Sequence, residues 1–282
     1  MKLRANNSFA ILTDTTLCTG CETCVRACKE KNNLGEDQPR LWKMAIDDLS
    51  ATRFTSLVRR AGDHFVRKQC RHCVEPACVS ACLVGALKKT KEGPVIYDAS
   101  LCMGCRYCML ACPYGVPRYE WSKAAPTIRK CDMCYDRLIK GEQPACTLVC
   151  PEKATIFGTR QDLLAEAHRR IDRAPNKYQK KVFGEFEVGG TTVLYISDIP
   201  LGFLGSKSDM GDKPLPDLTW AAMKKIPPIV LGVGGLMAGV WWIVGRRMKM
   251  QALEALSEGT TASEGTTANE PGDEKKDDES SE

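Results

Sequence analysis

Residues Cys102-Met103-Gly104-Cys105-Arg106-Tyr107-Cys108-Met109-Leu110-Ala111-Cys112-Pro113 follow the spacing C-x2-C-x2-C-x3-C-P. That spacing lets one loop present three thiolates to a cubane iron–sulfur cluster and send the fourth to a neighbouring cluster. Crowding favours this chemistry over zinc, because structural zinc sites usually take two thiolate pairs separated by a longer loop. A disulfide framework is the other alternative. The pattern recurs with variations at Cys18, Cys21, Cys24 and Cys28, at Cys70, Cys73, Cys78 and Cys82, and at Cys131, Cys134, Cys146 and Cys150. All 16 cysteines are thereby used. Four motifs of four thiolates imply four [4Fe–4S] clusters as cofactors, each motif giving three ligands to one cluster and its last cysteine to another.

The rest of the chain offers no competing chemistry. There is no P-loop, no G-x-G-x-x-G after a strand and no nucleophile elbow, so no nucleotide site and no covalent catalyst is visible. With every iron ligated by cysteine, no position is open to substrate, and the residues imply a relay of single electrons and not an enzyme. Lys and Arg are dispersed and no recognition motif is present, so nucleic-acid binding is not expected. Two rivals remain. A zinc-binding scaffold would hold about four zinc and no sulfide, against about sixteen iron and sixteen sulfide for the relay. An independent reductase would need an iron accessible to substrate.

Clusters staple the polypeptide together, so a hydrophobic fraction of 43% suffices for a folded body. The expected class is α+β, with short strands flanking the cysteine loops. Phe9-Ala10-Ile11-Leu12 reads as a strand before the first motif, and Val95-Ile96-Tyr97-Asp98 repeats that arrangement before Cys102, so the two halves look like versions of one unit. Residues 40–46 and 54–58 read as strands in the cysteine-free insertion. Arg71-His72 is read as a solvated turn; the second reading is a cation or imidazole that raises the potential of the nearest cluster. His64 is read as a surface or packing residue. Tyr135–Gly141 reads as a helical turn that brings Cys146 back to the fourth motif. Residues 156–158 predict a strand, Thr159–Asp162 a capping box opening a helix through Ile171 with His168 on its surface, and residues 191–196 a closing strand.

The expected domains are an electron-transfer body over residues 1–200, a linker over 201–225, a membrane helix over 226–245, and a basic flank with a disordered acidic tail over 246–282. Ile226 to Val244 is a run of 19 residues without charge, bounded by Lys224-Lys225 and Arg246-Arg247, long enough to cross a hydrocarbon core. Gly235 and Gly239 form a G-x-x-x-G face suited to helix packing. The run holds no histidine, which argues against a haem clamped by this chain. A slight positive excess after the span, at Arg246, Arg247 and Lys249, places the C-terminus in the cytoplasm. No secretory or twin-arginine leader is visible, so a cluster body on the periplasmic side is expected to be carried across folded with a partner.

The run from Cys70-Arg71-His72-Cys73 through Cys102–Cys108, Cys112-Pro113-Tyr114-Gly115-Val116-Pro117 and Lys130-Cys131 to Phe157-Gly158-Thr159-Arg160 resembles the four-cluster ferredoxin subunits of membrane-bound respiratory oxidoreductases. It is most similar to the membrane-anchored electron-transfer subunits of hydrogenase-2-type [NiFe] hydrogenases, then to formate dehydrogenase beta subunits. The resemblance covers about residues 10–200. It implies two nested ferredoxin-like units, and a relay between a catalytic subunit and a quinone-reactive or cytochrome subunit in a bacterial or archaeal cytoplasmic membrane. It also implies a nested ligand set: Cys18, Cys21 and Cys24 with Cys150; Cys131, Cys134 and Cys146 with Cys28; Cys70, Cys73 and Cys78 with Cys112; and Cys102, Cys105 and Cys108 with Cys82. Two departures stand out: Lys29 follows Cys28 and Leu83 follows Cys82, where the family often has proline, and the leader common in the hydrogenase branch is absent.

Overall fold

The computed structural model describes residues 7–36, 49–60, 62–124, 126–204 and 211–262. Two units divide the chain, Met1–Trp220 and Ala221–Glu282. In the first, strand β1 (Phe9–Asp14) leads through a 3-10 turn into helix α1 (Thr23–Lys31). The hairpin β2 (Ser56–Arg60) and β3 (His64–Lys68) follows, then α2 (Ala77–Ser80), the hairpin β4 (Leu87–Lys89) and β5 (Val95–Tyr97), and α3 (Tyr107–Ala111). Next come β6 (Arg118–Tyr119) and β7 (Ile128–Arg129), the helical turns α4 (Tyr135–Leu138) and α5 (Ala145–Leu148), then β8 (Thr155–Thr159), α6 (Arg160–Arg173) and β9 (Val193–Ile196).

The contiguous apolar run of β1 makes it a central strand buried on both faces. It pairs antiparallel with β8, Ile11 opposite Phe157, and parallel with β9, Ile11 opposite Val193. Ile11 packs with Val66, Met133 and Tyr195, whereas Ala10 and Leu12 pack on the other face against Leu163, Ala167 and Ile171 of α6. Those three positions lie one helical turn apart and form the buried stripe of α6. Burying Leu163 and Ile171 contributes ~1.5–3 kcal/mol each, and a charge at Ala167 would break the contact. The Thr159 hydroxyl accepts the Asp162 N–H at 3.2 Å and donates to its carboxylate at 2.7 Å, so the expected cap is formed.

Several local readings hold: the strands before Cys18 and Cys102, the strand after Cys150, the closing strand, and the α4 turn, after which Gly141 takes φ +78°. His168 is exposed beside Glu185, and His64 is half-buried beside Asp198. The strand read at 54–58 is shifted by two residues and gains a partner in β3. The strand read at 40–46 lies outside the described residues. One local reading is corrected: Arg71 and His72 do not form a solvated turn, since both are buried. The Arg71 guanidinium sits over the Tyr195 ring at 4.0 Å and near the Tyr114 ring at 5.2 Å, so aromatic faces replace water. His72 Nδ1 accepts the Val95 N–H at 2.9 Å.

Beyond β9, Leu201 and Leu204 are buried in the same core as Ile11, and helix α7 spans Leu215–Met223. Helix α8 covers Ile226–Ala262, and the described helical stretch Leu215–Leu256 has a mean hydropathy of 1.8. It is long and apolar enough to cross a membrane, with its large apolar side chains exposed.

Candidate functional site

Two of the cysteine loops are built alike. Asp14 ends β1 and its carboxylate accepts the Thr16 N–H at 3.1 Å; Asp98 follows β5 and accepts the Ser100 N–H at 3.0 Å. A 3-10 turn then delivers Cys18 at φ −78°, ψ 116° and Cys102 at φ −78°, ψ 120°. The residue before the second cysteine is left-handed in all four motifs: Gly20 at φ +75°, His72 at +47°, Gly104 at +73° and Met133 at +60°. Such reversals turn successive backbone N–H groups inward and make the anion-binding concavities found at phosphate and iron–sulfur sites.

The loops gather the thiols into four groups. Cys18, Cys21, Cys24 and Cys150 line one hollow of about 420 Å³. Cys70, Cys73, Cys78 and Cys112 line another of about 350 Å³. Burial, then the charges of Cys146 and Cys134, raises the Cys28 thiol; burial, then Cys28, raises Cys131. Cys108 is pushed up to about 11 by burial and then by Cys102, Cys105 and Cys82. Contacts between groups form a row: after burial, Cys24 feels Cys146, Cys131 feels Cys70, and Cys78, pushed up to about 12, feels Cys70 and Cys108. The row begins and ends at groups that hold the two exposed cysteines, Cys21 and Cys105. Cys21 alone has its thiol lowered, by the Thr23 hydroxyl at 3.4 Å and the Thr23 N–H.

Thiols held this far above their ordinary range stay protonated unless a cation takes them, and cluster assembly must release those protons. All 16 cysteines are free, and among the described residues no three Cys, His, Asp or Glu converge on a point that could hold a single metal ion. Quartets arranged around hollows therefore fit cubanes better than mononuclear zinc, whose four ligands must meet about 2.3 Å from one centre. Two buried donors fit the same negatively charged guest. His72 Nε2 has no hydrogen-bond partner while its ring lines the Cys70 hollow, and the three Arg67 guanidinium nitrogens have none on the wall of the Cys18 hollow. Lys130 donates to the Cys131 carbonyl at 3.0 Å, and Lys89, lowered to about 8 by burial against the pull of Cys73, Cys70 and Cys78, donates to the His72 carbonyl at 3.1 Å. Cysteine spacing carries no sign of Arg67, Lys89 or Lys130 as site residues; an arginine beside Val66 on a strand of the core hairpin is the one signal for Arg67.

Residues 63–160 match the family model described as a 4Fe-4S dicluster domain. The hydrogenase-2 operon protein HybA of Escherichia coli O157:H7 is 38% identical over 68% of this chain and 71% of its own length. The chain belongs to the [4Fe–4S] electron-transfer subunits of membrane-bound respiratory oxidoreductases. A protein of Nitratidesulfovibrio vulgaris is 40% identical over 91% of this chain and 73% of its own length. One polypeptide of the anaerobic dimethyl sulfoxide reductase of Escherichia coli K12 is 37% identical over 55% of this chain and 75% of its own length, so relatives of this family member span both a hydrogenase operon and a terminal reductase.

Proposed function

We propose that the 16 cysteines hold four [4Fe–4S] clusters in the nested pattern, two interleaved ferredoxin-like units in one body. The ligand sets are Cys18, Cys21, Cys24 and Cys150; Cys28, Cys131, Cys134 and Cys146; Cys70, Cys73, Cys78 and Cys112; and Cys82, Cys102, Cys105 and Cys108. The observation that carries this reading is the row of thiol groups, each within electrostatic reach of the next, with exposed thiols in its two end groups. The bound clusters supply one-electron redox chemistry. The chain's own contribution is to hold them in sequence, turn backbone N–H groups toward them and keep water from the middle of the row.

In this reading the subunit is not itself catalytic. It relays electrons between a catalytic subunit of [NiFe] hydrogenase or formate dehydrogenase type and a quinone-reactive or cytochrome subunit of the cytoplasmic membrane. The body comprises residues 1–200, followed by a linker to 225 and a single-pass anchor at 226–245. The body faces the periplasm and the acidic tail the cytoplasm. A second direction, toward a terminal reductase, is favoured by the likeness to the dimethyl sulfoxide reductase polypeptide.

Anaerobic purification from detergent-solubilised membranes tests the reading. About sixteen iron and sixteen sulfide per chain are expected, with a paramagnetic signal on reduction. The co-purifying large subunit, identified by mass spectrometry, assigns the donor or acceptor. Colourless protein holding about four zinc and no sulfide after anaerobic reconstitution would end the proposal.

A further inference from the structure

Arg67 is a cation in the wrong place for a structural residue. It is 2% exposed at the end of β3, and its three side-chain nitrogens find no carbonyl or carboxylate among the described residues. An unpaired buried ion is costly, so natural cores almost always pair it. The groups that face Arg67 are thiols from two different quartets, Cys24 and Cys18 on one side and Cys146 and Cys28 on the other. Its remaining neighbours are the Tyr195 ring, whose hydroxyl donates to the Arg67 carbonyl at 2.8 Å, and Leu57 across the hairpin.

Resting on the cluster assignment above, we infer that Arg67 is the shared counter-ion of two adjacent clusters, those of the Cys18 and Cys28 groups, and that it raises the reduction potentials of both together. A cluster with four thiolates carries net negative charge and gains one more unit on accepting an electron. A fixed cation in a low-dielectric site favours the more charged form. Guanidinium suits the task because it stays charged when buried and its planar fork can donate to two sides at once. The other two groups, at Cys70 and Cys82, do not face Arg67, so the effect is confined to one end of the row.

The test is an anaerobic EPR-monitored redox titration of the full chain in its membrane complex, with Arg67→Gln and Arg67→Lys. In Arg67→Gln with full iron content, two of the four clusters should lose about tenfold or more in reduced-to-oxidised ratio at a fixed potential. Tenfold is a fall of 59 mV for a one-electron couple. The other two clusters should keep their potentials, and Arg67→Lys should remain close to the native protein in all four. A loaded Arg67→Gln with all four potentials unchanged, or all four shifted alike, overturns the inference. If Arg67→Gln fails to load, Arg67→Lys decides: native iron and potentials uphold a requirement for charge, and the same loss of iron overturns it in favour of shape. A shortfall of iron in the native protein would instead sink the four-cluster reading on which the inference rests.

Discussion

Gly20 is the position where the structure makes the sharpest demand on a single residue. It sits between Cys18 and Cys21 at φ +75°, and a Cβ there would lie 2.6–2.7 Å from three atoms of the Phe65 ring. Left-handed backbone costs a residue with a Cβ about 1–2 kcal/mol, and forcing a ring out of a packed contact costs about 1–3 kcal/mol more. Gly20→Ala should therefore destabilise the closed first loop by about 2–5 kcal/mol, which is roughly thirtyfold to a few thousandfold in its equilibrium with an open form. Gly85 supplies the control: it has φ +65° but nothing within 4 Å, so Gly85→Ala carries only the backbone part. The assay is iron release to a chelator under anaerobic conditions, with EPR assigning which cluster is lost first. Gly20→Ala should release the first-loop cluster well before the others, and Phe65→Ala in the same chain should recover the steric part but not the backbone part. Equal release from Gly20→Ala and Gly85→Ala would refute the reasoning, because it would mean that the ring simply moves aside.

His72→Ala leaves the Val95 N–H buried without its acceptor, a cost of about 1–3 kcal/mol. Chelator release should quicken for the Cys70 cluster while the first-loop cluster keeps its native rate. Removal of residues 221–282 deletes the unit that carries the 226–244 apolar run, and the truncated chain should leave membranes in alkaline carbonate that retain the full chain. Its persistence in the pellet would show that partner subunits alone hold it there.

What the sequence exposes and what it hides divide along one physical line. Cysteine spacing, the apolar run of β1, the Thr159 cap and the apolar span are local, since each involves residues within a few positions of one another. Strand and helix periods or loop reach act directly on such sets. Arg71 reads wrongly as solvated because its solvent substitute, the Tyr195 ring, lies 124 positions away and carries no mark in the neighbouring sequence. Arg67 escapes notice for the same reason, its facing thiols being split between Cys24 and Cys146. The hairpin of β6 and β7 has two residues per strand, too few to show any alternation.

The four reversals before the second cysteines show how a shared conformation can escape a pattern search. Glycine marks two of them, Gly20 and Gly104, but His72 and Met133 adopt the same hand at a cost that glycine avoids. Each compensates with its side chain: His72 accepts a backbone N–H, and Met133, 1% exposed, packs against Ile11, Val66 and Tyr195. Met133→Gly separates the two effects. It should relieve about 1–2 kcal/mol of backbone strain and forfeit at least the ~2–5 kcal/mol that truncating a buried methionine to alanine costs. The variant should therefore be the less stable protein by about 1–4 kcal/mol, read as faster chelator release from the Cys131 cluster. A Met133→Gly protein that held its iron more tightly than the native one would mean that loop strain outweighs core packing there, and that the absence of glycine from this motif has no basis in the contacts of Met133.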